Sequence, residues 1–472
     1  MAELGIGFLS IRQLMKAYRL RELSPVEVTR QLLETAGKLN NEINAFITFN
    51  EEEALKQAEN AELRFLAGKE LRYLEGIPIT IKDNINIKNL PTTAGSRVLK
   101  DFVPSGDATV ITRLRDEGAV LLGKLNMHEF ASGSTGVNPF YGNVGNPWDP
   151  KRVPGGSSSG CGAAVGAGLC TVSIGTDTAG SIRIPSALSG VVGLKPTYGL
   201  VSRYGVIPLS WTQDCVGPIC HTVEDAAYML NIINGYDPKD PSSRCAASVD
   251  YTQGLADGVQ GLRIGIPKEF FFEGLETDVE MAVQTALSHL QSLGAVLEEI
   301  SIQGVETALM AGFLSVLTEF TAYSQQYLPE RANDYSQDIR VRLEAARAIS
   351  AIDYINAQRV KRIFAERVLR EFERFQLLVT PTTVITAPRQ DQFSIPFLGN
   401  AMHPTPLLAR LTRPFSVAGF PALSVPCGFS SEDLPIGLQL VAGPCNERTL
   451  LKAAYAYQTT TLWSNRRPQL IM

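Results

Sequence analysis

The sequence predicts one large α/β domain, an α/β/α sandwich whose mixed, largely parallel central sheet is covered by helices on both faces. Three observations favour this class. Short apolar strands alternate with helical segments along 472 residues, and no low-complexity linker separates the chain into halves. The strands are also apolar almost throughout, which is typical of parallel strands buried between two layers of helices.

Residues 1–70 are expected to form a helical layer outside the sheet. Ser24 has the side chain of a helix N-cap, and Pro25 suits the first helical position. Glu27 would then close a capping box with Ser24. A second helix is predicted from Glu51 to Leu66, a segment rich in alanine and glutamate.

Residues 71–222 are expected to supply the centre of the sheet and the catalytic core. Asp107 is predicted to cap the helix that precedes the second strand. Because helical segments connect the strands, we expect parallel pairing. The predicted strands are Ile77–Ile81, Ala119–Gly123 and Val172–Ile174.

Residues 223–370 are more charged and are predicted to be a variable insert, whereas residues 371–472 return to core strands. Asn446 is expected to cap a terminal helix. The predicted strands of the insert are Gly261–Pro267 and Val296–Ile300, and its predicted helices are Thr277–Leu293 and Ala345–Phe372. The predicted C-terminal strands are Leu377–Pro381, Ala422–Pro426 and Ile436–Leu440.

The composition argues against several classes of protein. The chain has 43 basic and 48 acidic residues and no basic run, so we expect no Lys/Arg-rich face that binds nucleic acid directly. A partner subunit could still bind RNA. No signal peptide is evident and no apolar run is expected to be long enough to cross a bilayer, so we expect a cytoplasmic protein that does not enter a membrane. Seven scattered cysteines predict buried free thiols, and four separated histidines predict no metal site.

The stretch from Pro154 to Pro196 is rich in glycine and serine, yet apolar residues are interleaved with them. A flexible linker has no use for those apolar residues. Small residues between apolar ones indicate backbone packed closely on backbone, with glycine where the chain bends or a ligand approaches. A buried loop with free N–H groups and hydroxyls is therefore the candidate active site.

Catalysis in this stretch needs a base, and no histidine lies within it. Cys161 is a candidate nucleophile, but it too has no histidine in this stretch that could act as its base. Lys82 ends a predicted buried strand, where loss of water lowers the pKa of a lysine and lets its amine accept a proton from serine. The structural alternative is a salt bridge between Lys82 and Asp83 or another carboxylate.

The turn Gly175–Ser181 directly follows the predicted strand Val172–Ile174. A turn of small residues exposes successive backbone N–H groups, which can bind an anion or a developing oxyanion. A tight turn with only a structural role is the alternative.

Three motifs in this chain, taken together, resemble the amidase signature family. They are IKDN at Ile81–Asn84, GGSSSG at Gly155–Gly160 and GTDTAGSIR at Gly175–Arg183. Lys82 and Ser157 are 75 positions apart, and Ser157 and Ser181 are 24 apart, as expected in that family. The resemblance extends over nearly the whole chain and implies one amidase signature domain over residues 1–472, with the fold of that family.

The resemblance implies an amidase that cleaves a carboxylic acid amide through an acyl-enzyme, with no cofactor and no metal. Ser181 would be the nucleophile, and Lys82 would be the base. Ser157 would bridge the two, after a cis peptide bond that joins it to Gly156. The oxyanion hole would consist of the N–H groups of Thr178, Ala179, Gly180 and Ser181. The supporting residues would be Ser158, Asp177 and Arg183.

Two functions in the family share this chemistry. One is a free-standing amidase that hydrolyses a small-molecule amide. The other is the A subunit of a tRNA-dependent amidotransferase, which takes ammonia from glutamine and passes it to a partner subunit. Ala179 and Ile184 depart from the pattern of that subunit, and Ala409 stands where it tends to carry an acidic residue for the amino group of glutamine. We therefore expect the free-standing amidase. The alternatives are the A subunit, or a non-catalytic scaffold or binding subunit.

The substrate pocket is expected near two apolar segments, Val305–Tyr327 and Phe393–Leu411. Each segment could instead be ordinary helical core or an oligomer contact. A homodimer is therefore one of the expected alternatives. The expected ligand is a small-molecule amide.

Overall fold

The computed structural model describes residues 5–244 and 249–471, and within them eleven strands form one mixed sheet. Two further short strands, Ile395–Phe397 and Asn400–Met402, form a separate hairpin. In chain order the strands are β1 Phe46–Phe49, β2 Pro78–Lys82, β3 Val120–Leu125, β4 Val172–Asp177, β5 Val192–Lys195, β6 Cys215–Cys220, β7 Arg263–Pro267, β8 Val296–Ile300, β9 Leu377–Pro381, β10 Ile395–Phe397, β11 Asn400–Met402, β12 Ala422–Phe429 and β13 Pro435–Ala442.

Helices flank this sheet. In chain order they are α1 Ile11–Arg19, α2 Pro25–Ile43, α3 Glu51–Leu66, α4 Thr109–Asp116, α5 Ser159–Gly166, α6 Arg183–Ser189, α7 Val223–Ile233, α8 Thr277–Ser292, α9 Val305–Ser324, α10 Leu328–Arg331, α11 Gln337–Ala346, α12 Ala351–Glu371, α13 Pro404–Leu408, α14 Arg413–Ala418 and α15 Glu447–Thr459.

The strand order is β1-β3-β2-β4-β6-β5-β12-β13-β9-β7-β8. Parallel pairing occurs in two blocks, β3-β2-β4 and β9-β7-β8, and antiparallel ladders join them. The predicted α/β class with a mixed sheet is confirmed. Strands from all four predicted segments enter this one sheet, including β7 and β8 from the charged insert.

Alternate residues of β12 face opposite sides of the sheet, as the two-residue period of a strand requires. Leu423 and Val425 belong to the hydrophobic cluster that includes residues of α8 and α15. Ala422 belongs to a second cluster, together with Val441 of β13 and Phe415 of α14. Each large apolar side chain buried in these clusters contributes roughly 1.5–3 kcal/mol. The core therefore has two layers, one on each face of the sheet.

Local capping explains where several helices begin. Ser24 caps α2 by accepting hydrogen bonds from the N–H groups of Val26 and Glu27 at 3.1 and 3.3 Å, with Pro25 at the first position. The return bond from the Glu27 side chain that a capping box requires is not formed. The Asp107 cap is also wrong, because Ala108 holds the N-cap position and the Asp107 carboxylate pairs with Arg115 at 3.1 Å. Asn446 precedes α15 but makes no capping bond with its side chain.

The predicted long helix Ala345–Phe372 is two helices, α11 and α12, with a break between Ala346 and Ala351. Ser350 causes the second start, since its hydroxyl accepts from the N–H of Asp353 at 3.1 Å. The Asp353 carboxylate in turn accepts from the N–H of Ser350 at 3.0 Å, which completes a capping box.

Helix α9 corrects the expectation that no apolar segment is long enough to cross a membrane. By length and composition alone, its 20 residues would suffice. In the fold, α9 packs against α12 and α14. Its Glu319 is buried and accepts hydrogen bonds from the hydroxyls of Ser210 and Thr212 at 2.5 and 2.8 Å.

The cysteine prediction is confirmed for five residues, which are buried free thiols: Cys161, Cys170, Cys215, Cys220 and Cys427. Cys445 is exposed, against the prediction. Cys245 lies outside the described residues.

Candidate active site

The candidate site lies where β2 and β4 end. These strands are parallel neighbours, with Ile81 opposite Ile174, so residues that follow both strands meet at one edge of the sheet. Lys82 is the last residue of β2, and β4 continues to Asp177, three residues beyond the predicted end. The segment 154–158, which leads into α5, completes the site.

Lys82 is fully buried, and its amine contacts two hydroxyls. Nζ donates to Ser157 Oγ at 2.8 Å and to Thr176 Oγ1 at 2.7 Å. The alternative salt bridge with Asp83 is wrong, because Asp83 pairs with Lys124 at 3.0 Å. Burial lowers the pKa of Lys82 to about 8, since no carboxylate among the described residues lies within ion-pair distance to stabilise its charge. An amine with this pKa can act as a base near neutral pH.

Ser157 is also fully buried, and the peptide bond that joins it to Gly156 is cis, as the resemblance implies. Its carbonyl oxygen accepts from the N–H of His128 at 3.2 Å. A Cβ at position 156 would lie 3.0 Å from backbone atoms of Ser134 and Thr135. Glycine is therefore favoured at position 156, because another segment of backbone passes close beside it.

Ser181 lies at the edge of a cavity, with 6% of its surface exposed. Its carbonyl oxygen accepts from the N–H of Ser158 at 3.2 Å, which ties the two serine loops together. The Ser158 hydroxyl in turn donates to the carbonyl of Thr176 at 3.1 Å. Within the described part of the chain, the Ser181 hydroxyl makes no hydrogen bond. The structure thus joins Lys82 to Ser157 directly and brings Ser181 to the same pair of loops, without a hydrogen bond between the two hydroxyls.

The turn 178–181 offers three backbone donors rather than four. The N–H groups of Thr178, Ala179 and Ser181 make no hydrogen bond to any described residue. The prediction that the Gly180 N–H is a fourth free donor is wrong, because this N–H donates to Asp177 Oδ1 at 2.7 Å. The three free donors are the ones that can stabilise an oxyanion.

Asp177 and Arg183 form a fully buried ion pair behind this turn, at 3.0 Å. Burial would raise the pKa of Asp177, but the charge and hydrogen bonds of Arg183 outweigh it and lower that pKa to about 2. The remaining guanidinium hydrogens donate to Thr412 O, Gln439 Oε1 and Ser416 Oγ at 2.9, 2.6 and 2.6 Å. The pair is well satisfied and fixes the turn to β13 and α14.

Two further contacts orient the turn, and sequence reasoning missed both. Thr178 Oγ1 donates to the buried Asp214 carboxylate at 2.5 Å. Thr412 Oγ1 donates to the carbonyl of Ala179 at 2.6 Å. For Asp214 the available signal was a charged residue directly before a buried strand. For Thr412, which lies far away in the sequence, there was none.

A cavity of about 370 Å³ opens beside Ser181. Both predicted pocket segments contribute to it, Phe313 and Val316 from the first and His403, Thr405 and Pro406 from the second. The lining residues that were not predicted include Ala131, Ser132, Gly133, Ser134, Leu209, Asp338, Arg342 and Arg413.

Cys161 does not have the surroundings of a nucleophile. It is fully buried within α5, and its Sγ donates to the carbonyl of Ile174 at 3.8 Å. Burial raises the pKa of its thiol to about 11, so the reactive thiolate is scarce at neutral pH.

This fold agrees with comparisons against known proteins. The family model described as Amidase matches residues 27–451, most of the chain. The chain therefore belongs to the amidase signature family, whose members are C–N hydrolases.

Three similar proteins illustrate the range of the family. The A subunit of glutamyl-tRNA(Gln) amidotransferase from Cyanothece sp. (strain PCC 7425) is 40% identical over 98% of this chain and 100% of its own length. A solved structure of a vestigial protein complex, which concerns the origins of an s-triazine catabolic enzyme, is 33% identical with a TM-score of 0.92 over 96% of this chain and 98% of that one. The peptide amidase of Stenotrophomonas maltophilia is 32% identical with a TM-score of 0.83 over 96% of both chains.

Proposed function

We propose that this protein hydrolyses a carboxylic acid amide through an acyl-enzyme on Ser181. The observation that carries the proposal is the 2.8 Å contact between Lys82 Nζ and Ser157 Oγ, beside the cavity that Ser181 lines. A buried lysine with a pKa of about 8 supplies a base without histidine.

In the first half-reaction, the Ser181 hydroxyl loses its proton through Ser157 to neutral Lys82 while Oγ attacks the amide carbon. The N–H groups of Thr178, Ala179 and Ser181 stabilise the resulting oxyanion. The proton returns through Ser157 to the leaving nitrogen, the C–N bond breaks, and ammonia or an amine departs. Water then attacks the ester by the same route, releasing the carboxylic acid and restoring the Ser181 hydroxyl.

The sequence relatives favour glutamine as the amide. The curated relative at 40% identity is the A subunit of a glutamyl-tRNA(Gln) amidotransferase, and further relatives of that name are 38–42% identical over nearly the whole chain. This support is stronger than any for the free-standing amidase that the sequence motifs led us to expect. On this proposal the ammonia released at Ser181 serves a partner subunit.

A free-standing amidase is the second candidate, and one observation favours it. Ala409 is buried and occupies the position at which the A subunit tends to carry an acidic residue that binds the amino group of glutamine. Among the described residues that line the cavity, Asp338 is the one carboxylate, and it already pairs with Arg342 at 2.7 Å. The ammonium of glutamine would therefore lack a free partner.

One experiment separates the candidates: ammonia release by the purified chain, alone and with added amidotransferase partner subunits. The substrates are butyramide, benzamide and glutamine, and Ser181→Ala is the control. Release from simple amides by the chain alone supports the free-standing amidase. Release from glutamine only with the added subunits supports the amidotransferase function. No release under any condition would overturn catalysis at Ser181 and leave the scaffold alternative.

A further inference from the structure

We propose that Arg413 binds a carboxylate on the acyl part of the substrate, so that the preferred amides are anionic. This inference rests on amide hydrolysis at Ser181, and it names the class of amide. The carboxylate could belong to the monoamide of a dicarboxylic acid or to glutamine. Arg413 lines the same cavity as Ser181, so one ligand can contact both residues.

Arg413 is a cation without a counter-ion in the described part of the chain. No carboxylate lies within 4.0 Å of its guanidinium, and its three nitrogens make no hydrogen bond to a described residue. Its Nε is buried. The guanidinium carbon lies 5.4 Å from the ring centroid of Phe313, which also lines the cavity. The ring of Phe313 takes up none of the guanidinium N–H donors, and a guanidinium can donate two parallel hydrogen bonds to one carboxylate.

Arg342, the other arginine of the cavity, shows the contrast. It pairs with Asp338 at 2.7 Å and donates to the carbonyl of Ser132 at 2.6 Å. Burial lowers the pKa of the neighbouring His403, which is therefore neutral at pH 7. With Asp338 and Arg342 cancelling each other, the charge of Arg413 leaves the lining net positive.

An unpaired cation in this position weakens the fold. Burial and the like charge of Arg342 lower the pKa of Arg413 to about 10, which still leaves it charged at neutral pH. Such a group is costly unless a partner neutralises it. A carboxylate matches the planar fork of the guanidinium and would supply that partner when the substrate binds.

The reaction remains the one proposed above. With glutarate monoamide, Ser181 Oγ forms the ester and ammonia leaves, and water then releases glutarate. The distal carboxylate takes no part in bond making or breaking. Its contact with Arg413 positions the amide carbon in front of Ser181.

The first test compares kcat/KM for glutarate monoamide, glutamine and the uncharged pentanamide in the wild type, Arg413→Gln and Arg413→Lys. We expect Arg413→Gln to lower kcat/KM for glutarate monoamide by roughly ten- to a hundredfold more than for pentanamide. A loss of this size is expected when hydrogen bonds to a charged group are removed. Arg413→Lys keeps the charge and should recover part of that loss. Arg347→Gln is the matched control, because Arg347 is exposed and lies outside the cavity.

The glutamine arm identifies the source of the carboxylate. An equal loss with glutamine supports the inference and indicates an amino-acid amide, whereas a loss confined to glutarate monoamide supports it and indicates a dicarboxylic monoamide. Equal losses for the charged and uncharged amides would overturn the inference while leaving amide hydrolysis intact. Hydrolysis that persists in Ser181→Ala would instead overturn the proposed function.

A second measurement does not depend on turnover. Calorimetric titration with glutarate should show binding that is roughly ten- to a hundredfold weaker in Arg413→Gln than in the wild type. Binding that is equal in both proteins, or absent from the wild type at millimolar glutarate, would overturn the inference. The melting temperature of Arg413→Gln should be no lower than that of the wild type, because removal of an unpaired buried charge offsets the loss of the contact with Phe313.

Discussion

The amine of Lys82 lies 2.8 Å from the hydroxyl of Ser157. Asp83, which follows Lys82 in the sequence, forms an ion pair with Lys124 at 3.0 Å and not with Lys82. This separation supports Lys82 as the proposed base. A carboxylate beside Lys82 would hold it protonated, whereas two hydroxyls leave its pKa low enough for it to be neutral at mildly alkaline pH.

The first prediction concerns the dependence of activity on pH. Because burial lowers the pKa of Lys82 to about 8 and only the neutral amine is a base, kcat/KM should rise with pH to a plateau above about 8. Below that pKa it should fall about tenfold per pH unit. The measurement is kcat/KM for an uncharged amide from pH 6 to 10.

Lys361→Met is the matched control for that profile. Burial also lowers the pKa of Lys361 to about 8, but Lys361 lies on α12 and donates to Thr212 at 2.6 Å. If Lys361→Met shifts the midpoint, or if the wild-type rate is flat from pH 6 to 8, Lys82 is not the base.

The second prediction identifies the nucleophile. Ser181→Ala should lower kcat by about 10⁴-fold or more, the size of effect that follows removal of a catalytic serine. Cys161→Ala should retain activity, because its thiol is buried and protonated. Mass spectrometry of the wild type with a slowly hydrolysed amide should locate the acyl group on the peptide that contains Ser181. An acyl group on Cys161 would contradict the mechanism.

The third prediction concerns the buried pair Asp177–Arg183. Arg183→Met should lower the free energy of unfolding at pH 7 by about 3–5 kcal/mol, because it leaves a buried carboxylate unpaired. Urea denaturation measures the change. Arg362→Met, which breaks the exposed pair with Glu366, should cost less than about 1 kcal/mol.

The pH dependence of that loss follows from the sign of each pKa shift. In the wild type the Asp177 pKa is depressed to about 2, so its contribution to stability is complete above about pH 4 and is lost as the pH falls toward 2. In Arg183→Met the charge and hydrogen bonds of Arg183 are lost, so burial, now opposed only by Lys195 and by N–H donors such as that of Ile182, raises the Asp177 pKa above its wild-type value and favours the protonated form at a higher pH than in the wild type. The gap between the two proteins should therefore narrow from pH 7 to pH 4. A constant gap would show that the pair has no electrostatic role.

The fourth prediction concerns Gly156. A Cβ there would lie 3.0 Å from the backbone of Ser134 and Thr135, and backbone cannot move aside as a flexible side chain can. Gly156→Ala should therefore destabilise the protein by about 1–3 kcal/mol and displace Ser157 from Lys82. Gly106→Ala is the control, because no atom lies within 4 Å of its added Cβ. Equal melting temperatures and kcat values for the two variants would contradict this account.

Local signals in the sequence predicted much of the fold. The bounds of α3, β8 and β9 match the structure, since apolar periodicity and the residues at each end are sufficient to define them. The break before α12 could not be predicted by periodicity, because it depends on Ser350 and Asp353 exchanging hydrogen bonds. The same limit applies to Gly180, whose N–H is engaged by Asp177.

By itself, the sequence determined which residues are proposed to carry the chemistry, because Lys82, Ser157 and Ser181 stand in motifs of fixed order and spacing. Tertiary structure decided their partners. Asp83 could have paired with its neighbour Lys82 but pairs with Lys124, and Arg183 donates to Gln439, 256 positions away. Side chains of opposite charge attract one another wherever they stand in the chain, so only packing decides which pairs meet. For the same reason the unpaired charge of Arg413 beside Ser181 becomes visible only in the folded protein.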